Sequence, residues 1–285
     1  MQSISKLQVS CLRVFQCLKM FIWNYQFVLG IICFTGLCFT SGVYTDLVVG
    51  RTLSVFDVLR SMKKSDMVND IELCNISVFA TGLSTYVNMF LPLLCSFVCV
   101  FMMGEEEHSG IKRLITVRMQ KSRYCRSYYF SGVLSGGILA VLGYGIFGLL
   151  VYFLFPGVQE YSDMSTQLFG VTYSNYYIFI FMRLFSVFLY GIQMTGVAIS
   201  LTPLFRNEYI VETFVFVLNY LSNSILIKYA GQYTVIKYFL PGSVGDVWLY
   251  KEMEKGAVLG IFTVYLLLGY MLYKKFLERG IDYGK

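Results

Sequence analysis

The chain has 285 residues, of which 56% are hydrophobic and 14% charged, and its net charge is +6. Soluble domains carry roughly 25% charged residues, so this composition excludes an ordinary soluble globular protein. The apolar residues form runs of about 17–25, long enough to cross a bilayer as helices, without the alternation of a β-barrel. We therefore predict an all-α polytopic membrane protein with a single transmembrane domain over 1–285.

The first predicted element is an amphipathic helix over 1–19. Its apolar residues recur at spacings of three and four, and they are Ile4, Leu7, Cys11, Val14, Phe15 and Leu18. Lysines and arginines lie between them. This pattern favours a helix that lies in the cytoplasmic membrane interface. The alternative is an extension of the first span that bends outward.

Six membrane spans are predicted after this helix. They cover 20–40, 79–103, 129–155, 177–204, 209–227 and 256–273. The fifth is the least apolar, because Glu212, Asn219 and Asn223 interrupt it. In the third, Gly132, Gly136, Gly143 and Gly148 would allow close helix approach, with the first two spaced as a GxxxG pair. The alternative is that glycines are simply common in membrane spans.

Lysine and arginine set the orientation. They cluster in the N-terminal segment, in 104–126 and in the C-terminal tail, whereas 156–176 contains none. Loops rich in these residues stay in the cytoplasm. Both termini are therefore predicted to be cytoplasmic, in agreement with an even number of spans.

Three segments are predicted on the outer side, 41–77, 156–176 and 228–255. In 41–77, the spacing of Val55, Val58, Leu59 and Met62 predicts a small helical loop. The segment 228–255 is too polar to cross the membrane and is broken by Pro241-Gly242. It predicts short re-entrant helices that enter the outer leaflet and return.

The residues that most enzymes and metal sites require are missing. His108 is the single histidine, and neither a phosphate-binding loop nor a nucleophile-elbow motif occurs. Of the eight cysteines, Cys74 alone falls in a predicted outer loop, so we predict free thiols throughout. We expect no enzyme, cofactor or metal site. An intramembrane enzyme is the weakest alternative.

The stretch FMMGEEEHSGIKRLITVRMQKSRYCRSYYF, over 101–130, places a charged segment between two apolar runs. We predict a cytoplasmic helix over 105–120, with its glutamates at the N-terminal end. Ile111, Leu114, Ile115 and Arg118 would share one face. Such a helix suits docking into a groove on a soluble partner. The alternative is that its bases only fix topology and that its apolar face lies on lipid.

The pattern Glu107-His108-Ser109-Gly110, then Leu114-Ile115, then Ser122-Arg123, resembles the permeases of ABC-2 type export transporters. The resemblance extends to the layout of an interfacial helix, six spans and re-entrant outer pieces. It implies that 104–126 is a coupling segment seated on a separate ABC ATPase subunit. The residues that it assigns to ATPase coupling are Glu105, Glu106, Glu107, Gly110, Ile111, Leu114, Ile115, Arg118 and Arg123.

The resemblance also implies a permease in a bacterial cell membrane. Two copies, or one copy and a related chain, would form the path for an amphipathic or lipid-like substrate such as an antimicrobial peptide. We expect no nucleic-acid partner. Arg183, a charge within the fourth span, would line the path or extend to the lipid headgroups. The alternative function is a membrane immunity or sensor protein that binds a peptide on its outer loops.

Overall fold

The structure is a computed structural model. It describes residues 14–282 except 47–50, 69, 84–85, 111–120, 158–175, 206, 231–233, 240–243 and 245–254. The described helices are α1 (Val14–Ile22), α2 (Tyr25–Cys38), α3 (Val55–Ser61), α4 (Lys64–Met67), α5 (Asn75–Thr81), α6 (Tyr86–His108), α7 (Lys121–Leu154), α8 (Tyr176–Leu201), α9 (Glu208–Ala230), α10 (Thr234–Phe239) and α11 (Lys255–Asp282). Two strands, β1 (Gly42–Asp46) and β2 (Arg51–Ser54), follow α2.

The chain is a mostly helical, multi-pass membrane protein. Five of its described helices, α6, α7, α8, α9 and α11, are long and apolar enough to cross a membrane. The number becomes six if α1 and α2 form one span, although they meet at a bend of 64°. At this bend the side chain of Asn24 accepts a hydrogen bond from the backbone N–H of Gln26 and caps α2.

The bend separates the N-terminal helix from the first apolar run, but at a later residue than predicted. The predicted helix ended at residue 19, whereas α1 continues to Ile22. Residues 1–13 of that prediction lie outside the described part of the chain. The predicted re-entrant segment 228–255 is described only in part, where α10 is a helix of six residues.

The predicted second span, 79–103, is wrong at its start, and its helix continues past the predicted end. Residues 79–81 belong to α5, and the spanning helix α6 begins at Tyr86 and ends at His108. A Cβ at Gly82, just after α5, would overlap the ring of Phe147 and lie 2.9 Å from its Cζ atom. The helix break therefore coincides with a close approach of the chain to α7.

The predicted helix start at Glu105 is also wrong. Gly104 lies inside α6, and backbone bonds continue as far as Ser109 N to Glu105 O (2.9 Å). The helix ends before Gly110, whose φ of 72° is left-handed and favours glycine. The three glutamates therefore occupy the C-terminal end of a helix, where the helix dipole disfavours negative charge.

The predicted outer segment 41–77 contains a short β-hairpin that the prediction of a helical loop did not include, within an otherwise helical chain. Strands β1 and β2 pair antiparallel, with Thr45 opposite Thr52 and Asp46 opposite Arg51. The predicted helical spacing is confirmed in α3, where Val55 and Val58 are buried. Ser54 begins this helix with a capping box to Asp57.

Helices α7 and α8 pack through glycines, which confirms close helix approach in the third span. A Cβ at Gly136 would overlap Thr195 Oγ1, and one at Gly191 would lie 2.9 Å from the Gly136 carbonyl oxygen. Gly143 meets Phe34 of α2 in the same way. The seven described cysteines are free thiols, and Cys11 lies outside the described residues.

Candidate functional site

The candidate site is the end of the bundle where α6 finishes and α7 begins. Both helices reach the charged segment 104–126, so they fix its two ends. The tip between them, 111–120, lies outside the described residues and contains the predicted coupling residues Ile111, Leu114, Ile115 and Arg118. The structure describes the two helix ends that flank this tip, and we call these ends the base of the segment.

Contacts to neighbouring helices hold the acidic end of α6. Glu106 accepts a hydrogen bond from the Tyr128 hydroxyl of α7. His108 Nε2 lies 3.1 Å from Glu208 Oε1 at the start of α9. A Cβ at Gly104 would overlap the Glu208 side chain, so this glycine lets α9 approach. These contacts counter the unfavourable placement of acids at a helix C-terminus.

A cluster of buried tyrosines joins α7 to α11 at the same end. Tyr124, Tyr128, Tyr129 and Tyr273 are all buried, and the rings of Tyr124 and Tyr128 lie 4.6 Å apart. The Tyr129 hydroxyl donates to the carbonyl of Leu266 at 3.1 Å. The first turns of α7 are thus packed against α11 and do not form a separate arm.

Helix α7 is too long for the membrane alone. Its 34 residues extend about 51 Å at ~1.5 Å per residue, whereas a bilayer core is about 30 Å thick. Lys121, Arg123 and Arg126 in its first two turns are exposed. The basic end of α7 therefore extends well past the hydrocarbon and presents its charges to water or to a partner.

The structure brings together some of the predicted coupling residues. Glu105 and Glu107 are exposed, and Glu106 is half-buried against α7. Gly110 makes the left-handed turn that leads into 111–120, and Arg123 is exposed on the opposite side of that segment, in α7. These five residues form the base of the segment.

Arg183 lies in α8, away from the charged segment. It is 3% exposed, so it does not extend to the headgroups, and its Nη2 donates to the carbonyl of Ala80 at 3.2 Å. Ala80 lies in the last turn of α5, where helix carbonyls lack intrahelical donors. A cation at this position is favourable, and the Arg183 side chain links α8 to the end of α5. Its predicted place in the path stays a prediction.

A buried polar line between α6, α8 and α9 was not predicted. Pro92 lies inside α6 and has no N–H, so it cannot bond to the carbonyl of Asn88. Both the Tyr190 hydroxyl and Asn219 Nδ2 lie 3.5 Å from this carbonyl. Asn223 Nδ2 in turn donates to Asn219 Oδ1 at 3.3 Å.

The line continues toward the end of the bundle where α6 finishes, at Glu212. Its Oε2 lies 2.8 Å from the Ser96 hydroxyl of α6, and its side chain is 5% exposed. The sequence signal was the spacing of Glu212, Asn219 and Asn223 by seven and four residues, which places all three on one helix face. These residues interrupt the apolar run because that face is turned toward α6.

Compared with models of known protein families and with curated protein sequences, the chain matches none. Its function is therefore inferred from the geometry of the helix ends and from the sequence pattern of 104–126.

Proposed function

We propose that the chain is the membrane-spanning permease subunit of an ATP-driven export transporter, with ATPase activity in separate subunits. The six-span arrangement, with α1 and α2 bent at the interface, is part of this proposal. So is an orientation with both termini in the cytoplasm of a bacterial cell. A second copy, or a related chain, completes the path for an amphipathic or lipid-like substrate.

The observation that carries the proposal is the braced base of segment 104–126. A tip that transmits force between a soluble ATPase and the membrane must not move independently of the spanning helices. The Tyr128–Glu106 hydrogen bond ties α7 to α6, and the His108–Glu208 pair ties α6 to α9. Displacement of the tip would therefore be passed to three long helices at once.

The charges at this end suit a soluble partner. The exposed arginines and lysine of α7 lie beyond the bilayer core, and the apolar face predicted for 111–120 would fill a cleft. In protein interfaces such buried anchors commonly contribute ~2 kcal/mol or more each, whereas charges at the rim contribute little. The apolar tip would supply affinity and the bases around it would supply orientation.

The test is purification of the tagged full-length chain from its own cells in mild detergent. We expect a stoichiometric ATPase with a phosphate-binding loop, and ATP hydrolysis by the complex after reconstitution in lipid. Tyr128→Phe, which removes the hydroxyl that donates to Glu106, should retain the ATPase but weaken the dependence of hydrolysis on substrate. Tyr152→Phe, at an exposed site near the other end of α7, is the matched control.

The second candidate function is a peptide-binding immunity or sensor protein. The observation that favours it is an open apolar depression on the predicted outer side, between α2 and α3, where Phe56 is exposed beside Phe39 and Leu59. Purification without any ATPase, together with loss of peptide protection in Phe56→Ala, would favour this function over transport.

A further inference from the structure

The Ser96 hydroxyl contacts three acceptor oxygen atoms but has only one hydrogen to donate. The longest contact is to the backbone oxygen of Leu93, at 3.4 Å. The Ser96 Oγ lies 2.8 Å from the backbone oxygen of Pro92 and 2.8 Å from Glu212 Oε2. A serine hydroxyl offers one donor and two acceptor lone pairs, and a backbone carbonyl only accepts. The two 2.8 Å contacts can both be full, linear hydrogen bonds only if Glu212 donates one of them, which requires a protonated carboxyl group.

The surroundings also favour the neutral acid. Glu212 is 5% exposed, and its Oε1 has no hydrogen-bond partner within the described part of the chain. The buried side chains on the three helices that meet here include an apolar cluster of Val100, Ala198, Val211 and Val215. An isolated carboxylate in such a place costs far more free energy than the protonated acid.

No described basic group compensates a charge at this position. The titratable groups of α6 nearest Glu212 are the thiols of Cys95 and Cys99. One turn earlier on α9, Glu208 is already paired with His108. Arg183, the charged residue of α8, contacts Ala80 near the end of α8 that is far from Glu212. Lys237 of α10 comes after the C-terminal end of α9 in the chain, whereas Glu212 is near the N-terminal end of α9.

We propose that Glu212 is a proton-binding site inside the membrane and that its proton controls the Ser96 hydroxyl. With the proton bound, Glu212 Oε2–H donates to Ser96 Oγ, and Ser96 donates to the Pro92 carbonyl. When the proton leaves to water, the Ser96 hydrogen turns to the carboxylate and the Pro92 carbonyl loses that donor.

The position of this switch gives it a consequence for α6. The helix already lacks the hydrogen bond from residue 92 to the Asn88 carbonyl because of the proline. The bond from Ser96 to the Pro92 carbonyl is a serine side-chain bond to residue i−4, a kind that bends helices, so its release would change the local geometry of the adjacent turn. The proton on Glu212 therefore sets the local geometry of α6 between its proline and its acidic end. This inference goes beyond the proposed transport function and does not require it.

Infrared spectroscopy of the full-length protein in lipid nanodiscs tests the proposal. The samples are the wild type, Glu212→Gln, Ser96→Ala and the control Glu208→Gln. At neutral pH we expect a carboxylic acid C=O band in the wild type that is lost in Glu212→Gln and kept in Glu208→Gln. In Ser96→Ala this band should move to higher frequency, because the acid loses its hydrogen-bond acceptor.

A wild type minus Glu212→Gln difference spectrum with only carboxylate bands at neutral pH would overturn the proposal. If Glu212→Gln does not fold, Ser96→Ala still decides, because it keeps the glutamate. An acid band that is absent, or unchanged in frequency, in Ser96→Ala would show that no protonated Glu212 donates to Ser96. A shifted band that disappears on alkaline titration supports the proposal.

Discussion

Replacing Gly136 by alanine should destabilise the protein strongly, although alanine is the better helix former. A Cβ at this position would overlap Thr195 Oγ1, lie 2.7 Å from Thr195 Cβ and lie 3.0 Å from the backbone oxygen of Cys95. Rotation of Thr195 can move its hydroxyl away but not its Cβ. That rotation also breaks the 3.2 Å hydrogen bond that Thr195 donates to Cys95.

The expected magnitude follows from three effects. Insertion of a methyl group into a packed core costs about 1–3 kcal/mol. Loss of the Thr195 hydrogen bond costs about 1 kcal/mol more. The higher helix propensity of alanine relative to glycine offsets about 1 kcal/mol of this loss. The net loss should be about 2 kcal/mol.

The matched control is Gly145→Ala on the same helix, α7, where a new Cβ would meet no atom within 4 Å. Only the propensity gain remains there, so stability should be equal to or above that of the wild type. Thermal unfolding of both variants in the same detergent, followed by fluorescence, gives the comparison. Equal unfolding temperatures for Gly136→Ala and Gly145→Ala would refute the packing of α7 on α8 and α6.

Arg183→Gln should lower the folded yield and reduce stability by about 2 kcal/mol, because the Ala80 carbonyl loses a charged donor. Arg126→Gln at an exposed site should change neither, and a normal yield for Arg183→Gln would contradict a structural role for the Ala80 contact. Burial raises the pKa of the Cys74 thiol. A membrane-impermeant maleimide added to intact cells should therefore not label Cys74 until a denaturing detergent unfolds the protein. Ser65→Cys on the exposed face of α4 should label at once, and protection there would contradict the predicted orientation. The purified chain alone should hydrolyse no ATP, since its sequence has no phosphate-binding loop; robust turnover free of contaminating ATPase would exclude a permease-only role.

The long helices could be predicted because each one is a long apolar run, and burial in lipid or protein requires little else of the sequence. The residues at which the helices end were harder to predict. The sequence around Gly104 indicated a stop, yet α6 continues through four polar residues because Tyr128 and Glu208 supply partners from other helices. Such tertiary contacts leave no local periodicity in the chain. The left-handed turn at Gly110 was the true helix end.

The hairpin of β1 and β2 was missed for a different reason. Its strands have five and four residues, with an irregularity between Gly42 and Tyr44, so the alternation that identifies strands is too short to detect. The contact of Arg183 with the Ala80 carbonyl could not be predicted, because no side-chain pattern reveals a backbone partner. The buried face of α9 could have been found, since Glu212, Asn219 and Asn223 have helical spacing and polar groups in spans face protein.

The most direct test of the coupling role of 104–126 uses the predicted tip of that segment. The full-length chain carrying both Leu114→Ala and Ile115→Ala should retain its folded yield but lose most of the co-purified ATPase, because two anchors of ~2 kcal/mol each are removed. Lys112→Ala should retain the ATPase. If the double variant keeps a full complement of ATPase and coupled hydrolysis while Lys112→Ala fails to insert, the segment only fixes topology and the permease account is contradicted.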